Sequence, residues 1–408
     1  MSVFERIECA IVRLRDLGLF RDPQWEGWRR EVEGFALAAG VPFVDVSSND
    51  YLGLGSAGAL QVRLPGEGSG DGVGSVGRAF GAMVEGVVQG GRSGSGGSRL
   101  LGGSHAEHRE LEACLAGWVG QPAALLFSSG YAANVGVMSA LPEKGDVVFS
   151  DELNHASIID GCRLGRATVR TYRHCDLQDL ERVMSEEPCG GQRWVVSETY
   201  FSMDGDGPDL LALRRLCDRY AAGLVLDEAH ALGVFGRNGE GLAVHAGIAA
   251  DVVVGAFGKS VGVQGGFVAG PDVVRTWLWN AARSFVYSTA TSPSVATALM
   301  FHVKHVQLDQ ERRRSLTQVV NRVRNKVSEL GLQVPNESFG PIVPIILGET
   351  ATALAAAEKL RKCGILVYAI RPPTVPTNTA RLRVTLTAGH SAAQVDHLLA
   401  CLSDCCLF

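Results

Sequence analysis

Short apolar runs alternate with amphipathic segments through the middle of this 408-residue chain. The runs are AALLFSSG, DVVFSD, RWVVSE, GLVLDEAH and DVVVGAFGK, and each ends in polar or glycine residues. Segments with apolar residues at helical spacing, such as LLALRRLCDRY, lie between them. This alternation predicts β-α-β units, and therefore an α/β fold whose central sheet is mainly parallel with helices on both faces.

The pattern changes near residue 290. From TSPSVATALM to about Leu332 it is predominantly helical, and strand-like runs return at VPIILG and RLRVTLTAGH before a last helix. We therefore expect a large domain over residues 51–290 and a smaller C-terminal α/β domain over 291–408.

Residues 1–50 are predicted to form an N-terminal helix and arm. Apolar side chains recur here at helical spacing, so one face of the helix can pack on another surface. They are Phe4, Ile7, Ile11, Leu14 and Leu17. Charged residues interrupt the stretch where an export signal needs its apolar core, so no such signal is expected. The glycine-rich stretch from 66 to 77 is predicted to be a linker-like surface loop.

Composition narrows the class of protein. Apolar residues make up 46% and charged residues 20%, as in globular enzymes. The charge balance, 38 − 43 = −5, provides no general positive field for nucleic acid or an anionic membrane. The ten cysteines form no C-x-x-C pair, so we expect reduced thiols in a cytoplasmic protein and assign them no function.

Reactive side chains follow several predicted strands at their carboxyl ends, which is where ligands bind in open parallel sheets. They are His155 after DVVFSDELN, Ser202 and Asp204 after RWVVSE, Asp227 and His230 in GLVLDEAH, and Lys259 after DVVVGAFG. The sequence thus predicts an acid, a lysine, two imidazoles and a hydroxyl at one sheet edge.

A buried lysine among such groups suits an aldehyde cofactor, because its amine can form a Schiff base. Pyridoxal phosphate also needs a carboxylate at its ring nitrogen and a flat partner over the ring, roles that Asp227 and His155 can fill. His230 and Ser202 can bond its phenolic oxygen. The backbone at 129–131, where a predicted helix begins, can hold its phosphate.

Two other kinds of site have partial signatures. Residues 227–230 spell DEAH, as in helicase-type NTPases, and residues 258–260 resemble the end of a phosphate-binding loop. That loop needs a glycine six residues before its lysine, where this chain has Val253. Two H-x-x-H pairs lack the H-E-x-x-H form and a cysteine set, so no metal is expected. A catalytically idle cofactor-binding protein is a further alternative.

The chain resembles the α-oxoamine synthases, which are fold-type-I pyridoxal phosphate enzymes, over nearly its whole length. The matching segments are SSNDYLGLG, GSGGSRLLGG, GYAAN, SDELNHASIIDG, ETYFSMDGDGPDL, LDEAHALGVFG, FGKSVGVQGG and SFVYSTA. The resemblance implies a pyridoxal 5'-phosphate-dependent C-acyltransferase that works as a homodimer with its sites at the subunit interface.

The resemblance also implies roles for the cofactor-binding residues. Lys259 would be linked to the cofactor aldehyde and would shuttle the α-proton, Asp227 would pair with the ring nitrogen, and His155 would stack on the ring. The remaining cofactor contacts would be Ser202 and His230 near the phenolic oxygen, and Gly130 and Tyr131 in the pocket. The family commonly has a threonine where this chain has Ala256.

Four residues match substrate contacts of the family. Arg21 and Thr374 match positions that contact the acyl chain, Arg371 matches a carboxylate contact, and Asn49 lies in a motif that lines the site. The segment 369–390 resembles the member that condenses L-alanine with a pimeloyl thioester, carried by coenzyme A or acyl-carrier protein, in biotin synthesis. The alternative is a sibling that joins glycine to a short acyl-CoA.

Overall fold

A computed structural model describes residues 3–16, 29–32, 35–38, 41–55 and 93–406 of the chain. The predicted substrate contact Arg21 and the glycine-rich stretch 66–77 lie outside the described residues. None of the helices in these ranges has both the length and the apolar character needed to cross a membrane.

The central sheet has seven strands in the order β4-β10-β9-β8-β7-β5-β6. Their bounds are β4 (Ala123–Phe127), β5 (Val147–Asp151), β6 (Thr168–Tyr172), β7 (Arg193–Glu198), β8 (Ala222–Asp227), β9 (Val252–Ala256) and β10 (Gly266–Gly270). Strands β6, β5, β7, β8 and β9 pair in parallel, whereas β10 runs antiparallel to both its neighbours. The predicted mainly parallel sheet is therefore confirmed.

Apolar packing covers both faces of this sheet. Along β4, Ala124 and Leu126 belong to one hydrophobic cluster, while Leu125 and Phe127 belong to the other. Successive side chains of a strand point to opposite faces, so both faces are buried. This double burial explains why the core strands read as continuous apolar runs.

Helices connect these strands, and several begin at a capping side chain. Their bounds are α2 (Ala106–Trp118), α3 (Gly130–Ala140), α4 (Ala156–Leu164), α5 (Leu177–Glu186), α6 (Leu210–Arg219), α7 (Leu242–His245), α8 (Asp272–Ala281) and α9 (Arg283–Val286). The Ser129 hydroxyl accepts from the amide of Ala132 at 3.1 Å, which fixes the start of α3. Asp176 and Asp209 cap α5 and α6 in the same way.

The C-terminal part contains a second, antiparallel sheet. Helices α10 (Pro293–Leu308) and α11 (Gln310–Glu329) precede it, as the sequence predicted. Its order is β11-β14-β13, with bounds β11 (Ile342–Gly348), β13 (Tyr368–Ile370) and β14 (Ala380–Thr385). Helices α12 (Thr350–Lys362) and α13 (Ala392–Cys406) complete this part. The division into domains at residues 51 and 291 stays a prediction.

The N-terminal residues contribute a helix and a small sheet. Strands β1 (Arg29–Val32), β2 (Phe35–Ala38) and β3 (Val41–Asp45) are antiparallel, and β3 pairs in parallel with β12 (Ile365–Leu366). The predicted N-terminal helix is α1 (Val3–Asp16). Its apolar side chains Phe4, Ile7, Ile11 and Leu14 are exposed in the single chain.

Candidate active site

The carboxyl ends of β5, β7, β8 and β9 bring the predicted polar residues to one edge of the central sheet. Asp227 is the last residue of β8 and lies opposite Glu198, the last residue of β7. Lys259 follows β9, and its charge acts on both carboxyl groups. His155 follows β5 and interacts with the charges of Asp227 and Lys259.

Asp227 is buried and accepts two hydrogen bonds. Asn134 donates from Nδ2 to Oδ2 at 2.6 Å, and the backbone amide of Ala229 donates to Oδ1 at 2.7 Å. Because the bonds go to different oxygens, they fix the orientation of the carboxylate. The contact from Asn134 was missed in the sequence, although this residue lies on the GYAAN segment at the start of α3.

The same asparagine connects Asp227 to His155. Asn134 Nδ2 donates to Ser157 Oγ at 2.9 Å, and Ser157 Oγ lies 2.7 Å from His155 Nδ1. The His155 amide donates to Glu198 Oε1 at 2.8 Å. Packing around the ring lowers the pKa of His155; Asp227 opposes this effect and Lys259 adds to it. His155 is therefore a neutral imidazole whose backbone and ring are both held in place, and such a ring can stack flat on a bound aromatic ring.

Lys259 is half-buried and lines a cavity of about 580 Å³. Burial lowers the pKa of its ammonium group; Asp227 and Glu198 oppose this effect, and Arg383 adds to it. A lowered pKa favours the neutral amine, which is the nucleophilic form of lysine and the form that accepts protons.

Glu198 is a buried carboxyl that the sequence did not single out. Burial raises its pKa well above the ordinary value, and the adjacent charge of Asp227 acts in the same direction. Of two neighbouring carboxyl groups, the one with the raised pKa keeps its proton. The raised pKa therefore favours the neutral form of Glu198.

His230 and Arg383 form a second buried group beside Lys259. His230 Nδ1 lies 2.7 Å from the hydroxyl of Tyr51. Arg383 donates from Nη2 to Asn49 Oδ1 at 2.9 Å and from Nε to the carbonyl of Ser202 at 2.6 Å. Arg383 thus brings Asn49 and the backbone carbonyl of Ser202 together, and Tyr51 lies between Asn49 and His230. Neither Arg383 nor Tyr51 was predicted from the sequence, and the role of the Ser202 hydroxyl stays a prediction.

The start of α3 forms one wall of the cavity, together with Ala256 and Lys259. A Cβ added at Gly130 would lie 2.6 Å from the Cβ of Ala256, so only glycine lets the helix end approach β9 this closely. The first amides of a helix have no acceptor within it and favour an anion. A phosphate cradle, an adjacent lysine and a fixed carboxylate fit pyridoxal phosphate. Tyr131 is exposed and donates to Asp160 Oδ2 at 2.6 Å.

Only some of the predicted substrate contacts lie at the cavity. Among the described residues, the cavity lining includes Asn49 but neither Arg371 nor Thr374. The latter two lie in the loop between β13 and β14, where the Thr374 amide donates to the Arg371 carbonyl at 3.1 Å. Their substrate roles stay predictions.

The chain belongs to the aminotransferase class I and II family, whose sequence profile matches residues 74–402. The fold class and the pyridoxal phosphate-dependent family predicted from the motifs are thereby confirmed. The curated relative from Marinobacter nauticus named 8-amino-7-oxononanoate synthase is 43% identical over 373 residues, which cover 90% of this chain and 88% of that protein.

Solved structures agree over most of the chain. Serine palmitoyltransferase from Sphingomonas wittichii superposes with a TM-score of 0.88 at 28% identity, covering 99% of this chain and 98% of that one. The 8-amino-7-oxononanoate synthase from Francisella tularensis superposes with a TM-score of 0.72 at 27% identity, covering 89% of this chain and 97% of that one.

Proposed function

We propose that this chain condenses L-alanine with a pimeloyl thioester to give 8-amino-7-oxononanoate, carbon dioxide and the free thiol carrier, a step of biotin synthesis. The observation that carries the proposal is the 43% identity over 90% of the chain to a synthase of that name. The cluster of Lys259, Asp227 and Arg383 supplies groups suited to a cofactor and an amino acid.

Bound pyridoxal phosphate would supply an electrophilic carbon and an electron-withdrawing ring. Lys259 would hold the cofactor through Nζ and, once displaced by the amino acid, would take the proton from its α-carbon. Asp227 would hold a proton on the ring nitrogen, and His155 would cover one face of the ring. After loss of carbon dioxide, Lys259 Nζ would return a proton to the product carbon.

We propose that Arg383 binds the carboxylate of the amino acid substrate. Arg383 is 7% exposed, and its guanidinium is fixed by Asn49, Ser202 and the Thr385 hydroxyl, which accepts from Nη1 at 2.9 Å. A planar guanidinium held in this way suits a carboxylate. Arg371 remains the candidate from the sequence. Alanine KM should rise strongly in Arg383→Lys and little in Arg371→Lys, and the reverse pattern would return the role to Arg371.

We further propose a cytoplasmic homodimer with the domain bounds given above. Eight of the ten cysteines have described side chains and all eight are free thiols, which supports a reducing compartment. Leu101 and Tyr287 are 83% and 73% exposed. The loops that carry them are joined by the β-bridge between Ser98 and Thr289. A shared apolar surface of this kind suits burial against a second copy.

Mass analysis of the product tests substrate and reaction together. Purified holoenzyme is given L-alanine or glycine with pimeloyl-CoA, pimeloyl-acyl-carrier protein or acetyl-CoA. We expect 8-amino-7-oxononanoate only from alanine with a pimeloyl donor, and the two carriers compared at equal concentration identify the preferred one. Product only from glycine and acetyl-CoA would instead indicate a glycine C-acetyltransferase.

A matched variant tests the cofactor linkage. Borohydride trapping followed by peptide mapping should label Lys259, and Lys259→Ala should lose both the label and the cofactor absorbance band. Loss of that band rules out the NTPase alternative. Cofactor binding without turnover of any pair of substrates would indicate an idle binding protein.

A further inference from the structure

Tyr51 is fully buried next to His230, although it lies outside the strands of the central sheet. Its hydroxyl oxygen lies 2.7 Å from His230 Nδ1 and 3.5 Å from Asn49 Oδ1. Asn49 Oδ1 already accepts from Arg383 Nη2 at 2.9 Å. The distance to His230 is typical of a hydrogen bond, whereas the distance to Asn49 is at the limit for one, so His230 Nδ1 is the main partner of the Tyr51 hydroxyl.

The ionisation of the two groups decides which one donates. Burial raises the pKa of Tyr51 to about 12, against the opposing charge of Arg383, so the hydroxyl keeps its proton. Burial lowers the pKa of His230 well below its ordinary value, and Lys259, Arg383 and His155 act in the same direction whenever they carry a proton. His230 is therefore a neutral imidazole with one lone pair and one N–H.

A neutral tyrosine beside a neutral histidine donates to the nitrogen that carries the lone pair. Tyr51 O–H donates to Nδ1, which leaves the ring proton of His230 on Nε2, on the side of the ring away from Tyr51. His230 is thereby held in one tautomer, with one N–H available to a ligand.

We propose that Tyr51 is a positioning residue, which fixes His230 as an Nε2–H donor to the phenolic oxygen of the bound cofactor. A donor at that oxygen stabilises its ionised form, so the cofactor loses its internally shared proton at lower pH. Without Tyr51, His230 is free to present a lone pair instead. The inference rests on the cofactor and not on the identity of the acyl donor.

The test is a pH titration of the cofactor absorbance in Tyr51→Phe holoenzyme without substrates. The phenylalanine keeps the ring but removes the donor, so the spectral midpoint should rise by about one pH unit. Tyr172→Phe is the matched control because Tyr172 is also buried but its hydroxyl bonds Ser197. Its midpoint should equal that of the wild type.

A double-mutant cycle separates positioning from a general structural effect. If Tyr51 acts through His230, Tyr51→Phe should cause no further change of midpoint in a His230→Ala background. An unchanged midpoint in Tyr51→Phe overturns the proposal. Equal shifts in both backgrounds overturn it as well, because Tyr51 would then act independently of His230.

The tautomer can also be measured in the wild type, which keeps the proposal testable if Tyr51→Phe fails to fold. Nitrogen-15 NMR of histidine-labelled holoenzyme, with His230 assigned by its loss in His230→Ala, should show a neutral ring protonated at Nε2. A proton at Nδ1, or a charged ring, overturns the proposal. Neither measurement uses alanine or an acyl thioester, so failure of the proposed reaction would leave these results unaffected.

Discussion

Glu198 and Asp227 lie directly opposite each other at the ends of neighbouring parallel strands, but their surroundings differ. Asp227 accepts two hydrogen bonds, from Asn134 and Ala229, whereas the pKa of Glu198 is raised by burial and by Asp227 itself. The raised pKa favours the protonated form of Glu198, which still accepts a hydrogen bond from the amide of His155.

Replacing each of the two carboxyl groups by the corresponding amide should affect kcat to different extents. Asp227→Asn removes the charge that supports the ring nitrogen, so kcat should fall by about 10²-fold to 10³-fold. Glu198→Gln replaces a group that is already neutral and keeps the acceptor for His155, so kcat should change by less than about threefold. Steady-state kinetics of both variants check this, and equal losses would contradict the assignment of charge.

Asn134 should support cofactor binding through Asp227. Asn134→Leu removes the donors to both Asp227 and Ser157, and cofactor affinity should fall about 10-fold, the value of one hydrogen bond to a charged group. Equilibrium titration of the apoprotein with pyridoxal phosphate measures this. Asn280→Leu, an exposed change on α8, is the control. Full affinity in Asn134→Leu would show that Asp227 is oriented without it.

A substitution at Ala256 should increase the affinity for the cofactor. It lines the cavity next to Gly130, where the family commonly has a threonine. Ala256→Thr adds a hydroxyl at the phosphate cradle and should tighten cofactor binding by about 2-fold to 10-fold. Ala256→Val has the same shape without the hydroxyl and should give no gain. If valine tightens binding as much as threonine, packing and not a hydrogen bond is responsible.

His174 should make the protein less stable as pH rises. Burial lowers its pKa, but hydrogen bonds to Asp151 at 2.9 Å and Asp206 at 3.1 Å outweigh burial and raise the pKa to about 12. The protonated form is favoured in the folded state, so this stabilisation is complete below the unfolded pKa of about 6.5 and declines above it by at most about 1.4 kcal/mol per pH unit.

Urea unfolding at several pH values tests this contribution. Between about pH 6.5 and 9, the free energy of unfolding should fall more steeply in the wild type than in His174→Gln, which cannot carry the charge. Parallel curves for the two proteins would show that His174 is not held as an imidazolium. The bond to Asp206 also ties down the loop that carries Ser202, so the variant should bind the cofactor less tightly.

Leu101 should contribute to the proposed dimer. Leu101→Asp places a charge on an exposed apolar loop and should shift the protein from dimer to monomer in sedimentation experiments. Leu308→Asp is the control because Leu308 is 81% exposed at the end of α10. Equal dissociation by both variants, or by neither, would place the interface elsewhere.

Local sequence patterns predicted the elements that carry most of the site. The core strands are continuous apolar runs, and Ser129 marks the start of α3 as a capping residue. Strands β6 and β10 were not predicted, since β6 is largely exposed and polar whereas β10 begins and ends with glycine. In both cases the surrounding structure, and not the local pattern, determines the strand.

The missed site residues depend on contacts between distant parts of the chain. Arg383 bonds Asn49, 334 residues earlier, and Tyr51 bonds His230, 179 residues later. No periodicity in the sequence encodes such contacts. Glu198 was missed for a different reason: it ends a predicted strand, but only the register with β8 places it opposite Asp227.

The pairing of β3 with β12 has a consequence for biosynthesis. In chain order, β10 is the last strand of the central sheet. All strands of this sheet have therefore left the ribosome well before Ile365 is added. Likewise, Asn49 can form its hydrogen bond only after Arg383 has been synthesised. At ordinary rates of translation this delay is roughly 20 to 70 seconds. A nascent chain of this protein can therefore fold its sheet early, but it completes its vitamin-binding centre only when synthesis is nearly finished.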